Sequence, residues 1–147
     1  MTRSTDNKQN LESESFGLDM ILSKDPHLLK PTLMQKKKVL EICNLPNLYR
    51  RSFDLIRLNV DDFSKVESIE DFVLIEVKVT RKALPNFPKG FFFGMTENEE
   101  KLLKELGNSF LLCLVSMADS HLKYEFFNYE QLRSLIRTKR VQFQITL

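Results

Sequence analysis

Tryptophan is absent from this 147-residue chain, and cysteine, histidine and glycine are scarce, with two, two and four copies. Cys43 and Cys113 have no CxxC spacing and lie among apolar neighbours, so they read as buried, reduced thiols. With only His27 and His121 beside them, a Cys/His zinc site is not expected. No apolar run approaches the roughly 18 to 20 residues that a membrane-spanning helix needs. The polar stretch Met1–Asn10 lacks the apolar centre of a secretory signal. No membrane partner and an intracellular, cytoplasmic location are therefore expected. Neither sign of charge dominates, the net value being +2, so the average says little about nucleic acid. Internal repeats and low-complexity tracts are missing as well.

What remains is a chain with 42% hydrophobic and 29% charged residues and twelve phenylalanines, the profile of a globular domain. Its length fits one domain able to bury a normal core. Residues 1–15 are polar and read as a flexible tail, leaving 16–147 as a single α/β domain. A short helix from Phe16 ends near Pro26, and Pro31-Thr32 opens a second that runs to about Cys43. Ser52–Asn59 reads as a strand. Phe72–Thr80, nearly continuous in apolar and β-branched residues, reads as a central one. Gly90–Met95 is a further expected strand. Thr96 caps a helix with Glu99 as its capping-box partner, and Gly107-Asn108 stops it. Strands are expected at Phe110–Met117 and Tyr124–Phe127, joined by a turn around Asp119-Ser120. A helix follows from Tyr129, and Val141–Leu147 alternates like a last strand. The helix at 96–106 is a crossover, which implies a parallel pair. The expectation is a mixed central sheet with flanking helices.

Alternation in the central strand puts Val73, Ile75, Val77 and Val79 on one face and Phe72, Leu74, Glu76 and Lys78 on the other. One face is pure core, while the other gives way to a carboxylate and an ammonium. Burying either charge alone costs several kcal/mol. As a string, Glu76-Val77-Lys78 is near chance expectation, and a second Glu-x-Lys stands at Glu99 and Lys101. On a helix, positions two apart do not face each other, so the second triplet reads as solvated surface. Asp54 lies in the preceding strand. If the two strands form a hairpin, it can approach Glu76, and two carboxylates beside a lysine make a plausible Mg²⁺ site. The bland alternative is Asp54 paired with Arg50 or Arg51, and Glu76–Lys78 as a surface ion pair worth under about 1 kcal/mol. Lys36-Lys37-Lys38, Arg50-Arg51, Arg81-Lys82 and Arg137-Lys139-Arg140 are local basic groups. They form a phosphate track only if they share a face.

Phe53-Asp54, an interval of about twenty residues, and Ile75-Glu76-Val77-Lys78 resemble the signature of the PD-(D/E)XK nuclease superfamily, whose core runs helix, three strands, helix, strand in a restriction-endonuclease-like fold. The likeness is closer to the nuclease-like domain at the C-terminus of the plant NO VEIN protein and of bacterial proteins, with counterparts in Phe93-Gly94-Met95-Thr96, Asn98-Glu99 and Phe110–Val115. It covers about residues 50 to 130. The resemblance implies a Mg²⁺-dependent endonuclease (Mn²⁺ in its place also serving) that hydrolyses DNA phosphodiesters. Asp54 and Glu76 would hold the metal, the Val77 carbonyl would be a further ligand, and Lys78 would be the catalytic lysine. Glu41 is the candidate for the acid that family members often carry in the first helix, although the expected Gly-x-x-x-Glu pattern is missing. Glu99 matches the family's helix acid. So short a chain would grip DNA as a homodimer or with a partner subunit. The alternative is an inactive nuclease-like interaction or DNA-binding module within a larger assembly, with Phe91-Phe92-Phe93 and Phe126-Phe127 as a partner surface or, more simply, as core.

Overall fold

The computed structural model describes residues 2–118 and 121–147, with the backbone alone for residues 2–11. The elements run α1 (Thr2–Lys24), β1 (Leu28–Leu29), α2 (Leu33–Ile42), β2 (Leu55–Leu58), β3 (Phe72–Thr80), α3 (Glu97–Leu106), β4 (Phe110–Ser116), β5 (Lys123–Phe127) and α4 (Tyr129–Leu135). The strands form one mixed sheet in the order β1-β2-β3-β4-β5. β2 and β3 pair antiparallel, with Leu55 opposite Ile75. β3 and β4 pair parallel from Leu74–Phe110 to Thr80–Ser116, the arrangement that the α3 crossover requires. The expected mixed α/β sheet with flanking helices is therefore present.

Two cores sit on the two faces. On one, Ile56, Phe72, Leu74, Phe110, Leu112 and Leu114 pack with Val39 and Leu40 of α2, Leu102 and Leu103 of α3, and Leu132 of α4. On the other, Leu55, Ile75, Val77, Cys113 and Val115 pack with Ile21 of α1. Gly17 is what lets α1 lie so close. A Cβ there would stand 2.8 Å from Cγ2 of Val79, inside normal van der Waals contact. The cysteines are free thiols, and burial pushes Cys43 up to about 11 and Cys113 to about 12. Three helices start on reciprocal capping boxes: Thr32 with Gln35, Thr96 with Glu99, and Asn128 with Gln131. No helix among the described residues is long and apolar enough to cross a membrane.

Several expectations need correction. Residues 2–15, expected within a flexible tail, are helical and continuous with α1. Once Gly17–Ile21 is anchored on the sheet, extending the helix upstream adds a hydrogen bond for each residue fixed, without a new nucleus. Gly90–Met95 is not a strand. β4 takes one edge of β3 from Leu74 to Thr80, and β2 takes the other as far as Ile75. The rings of Phe87, Phe91 and Phe93 instead stack edge-to-face with centroids 6.3 and 5.8 Å apart and cover the α2/α3 core, leaving Phe92 in solvent. Phe127 is buried and Phe126 packs against the α1-side core, so most of these aromatics serve the interior. Residues 141–147 have no regular secondary structure and pair with no strand among the described residues. The turn expected around Asp119-Ser120 lies outside the described residues. A two-residue strand, β1, was not expected; it pairs Leu28 and Leu29 with Arg57 and Ile56.

Candidate active site

The hairpin register delivers Asp54 to Glu76. The Asp54 N–H donates to the Ile75 carbonyl at 2.8 Å, and the Val77 N–H donates to Asp54 Oδ2 at 2.9 Å. Asp54 thus continues the ladder with its backbone and then replaces the next rung with its side chain. Two residues ahead of Ile56, it takes the same face as Ile56, Leu74 and Glu76. Glu76 is only 6% exposed and hydrogen-bonds Asp54. Burial, reinforced by that hydrogen bond and by the negative charges of Asp54 and Glu99, pushes its carboxyl up to about 12. Burial and the neighbouring negative charge thus favour the protonated form of Glu76. Ile75 and Val77 point their main-chain polar groups toward the β2 side, and β2 begins only at Leu55, opposite Ile75. The Val77 carbonyl accordingly faces the space beside Asp54.

Lys78, two residues along the same face, donates from Nζ to Glu99 Oε1 at 3.1 Å and to Oε2 at 3.3 Å. Both side chains are largely buried, at 17% and 7% exposure. Glu99 Oε1 also accepts the Thr96 N–H at 2.8 Å. A single carboxylate thus starts α3 and binds the β3 lysine, so the capping role is real but is half of what Glu99 does.

Two neighbours were not among the expected site residues. Lys36 of α2 donates to the carbonyls of Arg50 and Phe53 at 2.8 and 2.9 Å and lies 4.9 Å over the Phe53 ring. It fixes the backbone immediately before Asp54. Burial lowers its pKa, while Asp54 and Glu76 act in the opposite sense. Glu14 of α1 is close enough to feel Asp54, Lys78 and Glu99, and partial desolvation followed by Asp54 raises its carboxyl. Glu14 is thus the α1 carboxylate that senses this site, and like Glu41 at the end of α2 its side chain is exposed. Glu14 could have been found from Glu14-x-x-Gly17, a carboxylate one turn before a glycine that permits close packing. Lys36 carried no signal beyond its place in a lysine run.

That run does not act as one charge patch. Lys36 turns inward, Lys38 stands 5.2 Å over the Phe63 ring, and Lys37 is exposed. Arg51, Arg81 and Lys82 are also exposed. They lie just before Asp54 and just beyond the end of β3, at the same end of the sheet as the carboxylates.

Among the described residues no group of three or more His, Cys, Asp or Glu side chains could by itself hold a metal ion. The donors that do converge are the Asp54 and Glu76 carboxylates and the Val77 carbonyl. An all-oxygen set with few protein ligands suits Mg²⁺, which retains several waters. Comparison of the chain with protein-family models, curated proteins and solved structures finds no match in any of the three.

Proposed function

We propose that the chain is a PD-(D/E)XK-type, Mg²⁺-dependent nuclease that hydrolyses DNA phosphodiesters. The observation that carries this reading is the carboxyl pair of half-buried Asp54 and buried Glu76 on the β2–β3 hairpin, with Lys78 next along the same face. Asp54, Glu76 and the Val77 carbonyl would hold the ion. When bound, it supplies positive charge that polarises the phosphodiester and lowers the pKa of a coordinated water. Glu76 must give up its proton to serve as a ligand, so Mg²⁺ uptake releases a proton and tightens as pH rises. Lys78 would orient the attacking water and offset charge developing on the phosphate. Arg51, Arg81 and Lys82 would neutralise flanking phosphates.

One observation favours a second reading, a nuclease-like binding module without activity. The Lys78 ammonium is held by both oxygens of Glu99, and catalysis requires it to be shared with the water. A cleavage assay with Mg²⁺ or Mn²⁺ on single- and double-stranded DNA and RNA separates the two. Metal-dependent cutting of DNA that falls at least roughly 1,000-fold in Glu76→Ala and Lys78→Ala is the expected result. Binding without cutting by the wild type favours the module. Cutting that survives both substitutions rejects the site.

A further inference from the structure

Residues 141–147, Val-Gln-Phe-Gln-Ile-Thr-Leu, alternate apolar and polar side chains without a charge. Val141, Phe143 and Ile145 are 77%, 80% and 80% exposed. Such alternation belongs to a strand with one face covered, yet these residues pair with no strand among the described residues. The sheet has a matching vacancy in its ladder. Among the described residues β5 is its last strand on that side, so the outer edge offers a row of unpaired backbone groups. Beside that edge, on the α1 face, Tyr124 and Phe126 are only partly covered. An apolar groove of about 200 Å³ adjoins them, lined by Phe16, Met20, Met117, His121 and Leu122.

The segment cannot readily fill its own chain's edge. Lys139 Nζ lies 2.7 Å from Glu100 Oε2, which pins the preceding linker over the first turn of α3. That is the end of the sheet where β5 begins, so the segment could only run parallel to its own β5. The helices α3 and α4 cover the same face, but β4 and β5 are antiparallel. A β5–α4–strand unit continuing outward would therefore have the opposite hand to β3–α3–β4. One of the two would be left-handed, which crossovers almost never are.

We propose that residues 141–147 form a sixth strand on the β5 edge of a second copy of this chain, with Val141, Phe143, Ile145 and Leu147 on the Tyr124–Phe126 side. Donor and acceptor are both unsatisfied on one chain, and reciprocal exchange between two copies closes both with a single two-fold interface. This inference does not rest on the nuclease reading.

Sedimentation equilibrium of the full chain should give twice the chain mass at micromolar concentration. Deleting 141–147 should give a folded monomer whose thermal transition no longer depends on protein concentration, as that of the full-length dimer should. Phe143→Asp with Ile145→Asp should raise the dimer dissociation constant at least roughly 100-fold. A peptide spanning 137–147, added to the deleted chain, should shift the amide resonances of 123–127. A monomeric full chain, a dimer that survives the deletion, or peptide shifts that avoid β5 would each overturn the proposal, including the case in which the segment binds a different protein.

Discussion

The chain contains two Glu-x-Lys triplets, and the structure puts them to opposite uses. In Glu76-Val77-Lys78, on β3, the two-residue period turns both charged groups to one face, where Glu76 meets Asp54 and Lys78 meets Glu99. In Glu99-Glu100-Lys101, on α3, the helical period separates them. Glu99 points inward at 6% exposure, while Lys101 is exposed and stands 5.8 Å from the Tyr49 ring centroid. The same spacing therefore means different things on the two elements. The helical triplet is nevertheless not mere surface, because its glutamate is the partner of the other triplet's lysine. The site is the first triplet completed by half of the second.

The largest expected effect tests that division directly. If the nuclease reading holds, Lys78→Ala lowers metal-dependent cleavage at least roughly 1,000-fold, whereas Lys101→Ala leaves it within about twofold of wild type. Equal losses would erase the distinction between the triplets. Next comes the link between them. Glu99→Ala removes the partner of a largely buried ammonium and the reciprocal cap of α3 together, and should cost about 2–4 kcal/mol in urea unfolding. A cost near zero would mean that Lys78 finds another partner, and the joint site would dissolve into two independent features.

A smaller effect is written in pH. Glu76 has an ordinary value of 4.5 and is pushed up to about 12 in the fold. Folding thus favours its protonated form. The corresponding stability is complete below about pH 4.5 and is lost as pH rises from there toward the folded value. Glu76→Gln keeps a neutral, hydrogen-bonding group in place and removes that loss. It should match wild type near pH 4 and exceed it by roughly 1–3 kcal/mol at pH 8, measured by denaturant midpoints at both values. A wild type whose stability does not fall relative to the variant between those pH values would place the charge of Glu76 in water instead.

Much of this was legible because it is local or periodic. The alternation of Phe72–Thr80, the capping boxes at Thr96 and Asn128 and the crossover between two apolar strands are each written in a few adjacent residues. The approach of Asp54 to Glu76 needed only the antiparallel hairpin. What could not be read was either non-local or a matter of competition. Glu14 reaches the site because Gly17 lets α1 lie against Val79, a contact spanning more than sixty positions of sequence. Phe91 and Phe93 look like strand residues, but their rings pack with Phe87 over the α2/α3 core instead of joining the sheet. Residues 141–147 have the pattern of a strand but no regular secondary structure, and pairing with their own β5 would need a crossover of the disfavoured hand.

The ladder around β3 also governs how the site moves. β2 pairs with β3 only over Phe72–Ile75 and β4 over Leu74–Thr80, so from Glu76 onward the β2 side of β3 is closed by no strand. The β3 amides that bond to β4 belong to the class that exchanges with solvent water most slowly. The Val77 N–H faces the other way and is bonded to Asp54 rather than to the ladder, so its exchange reports on the carboxyl pair itself. Losing the Asp54 side chain should therefore speed exchange at Val77 while the β4-bonded amides stay slow.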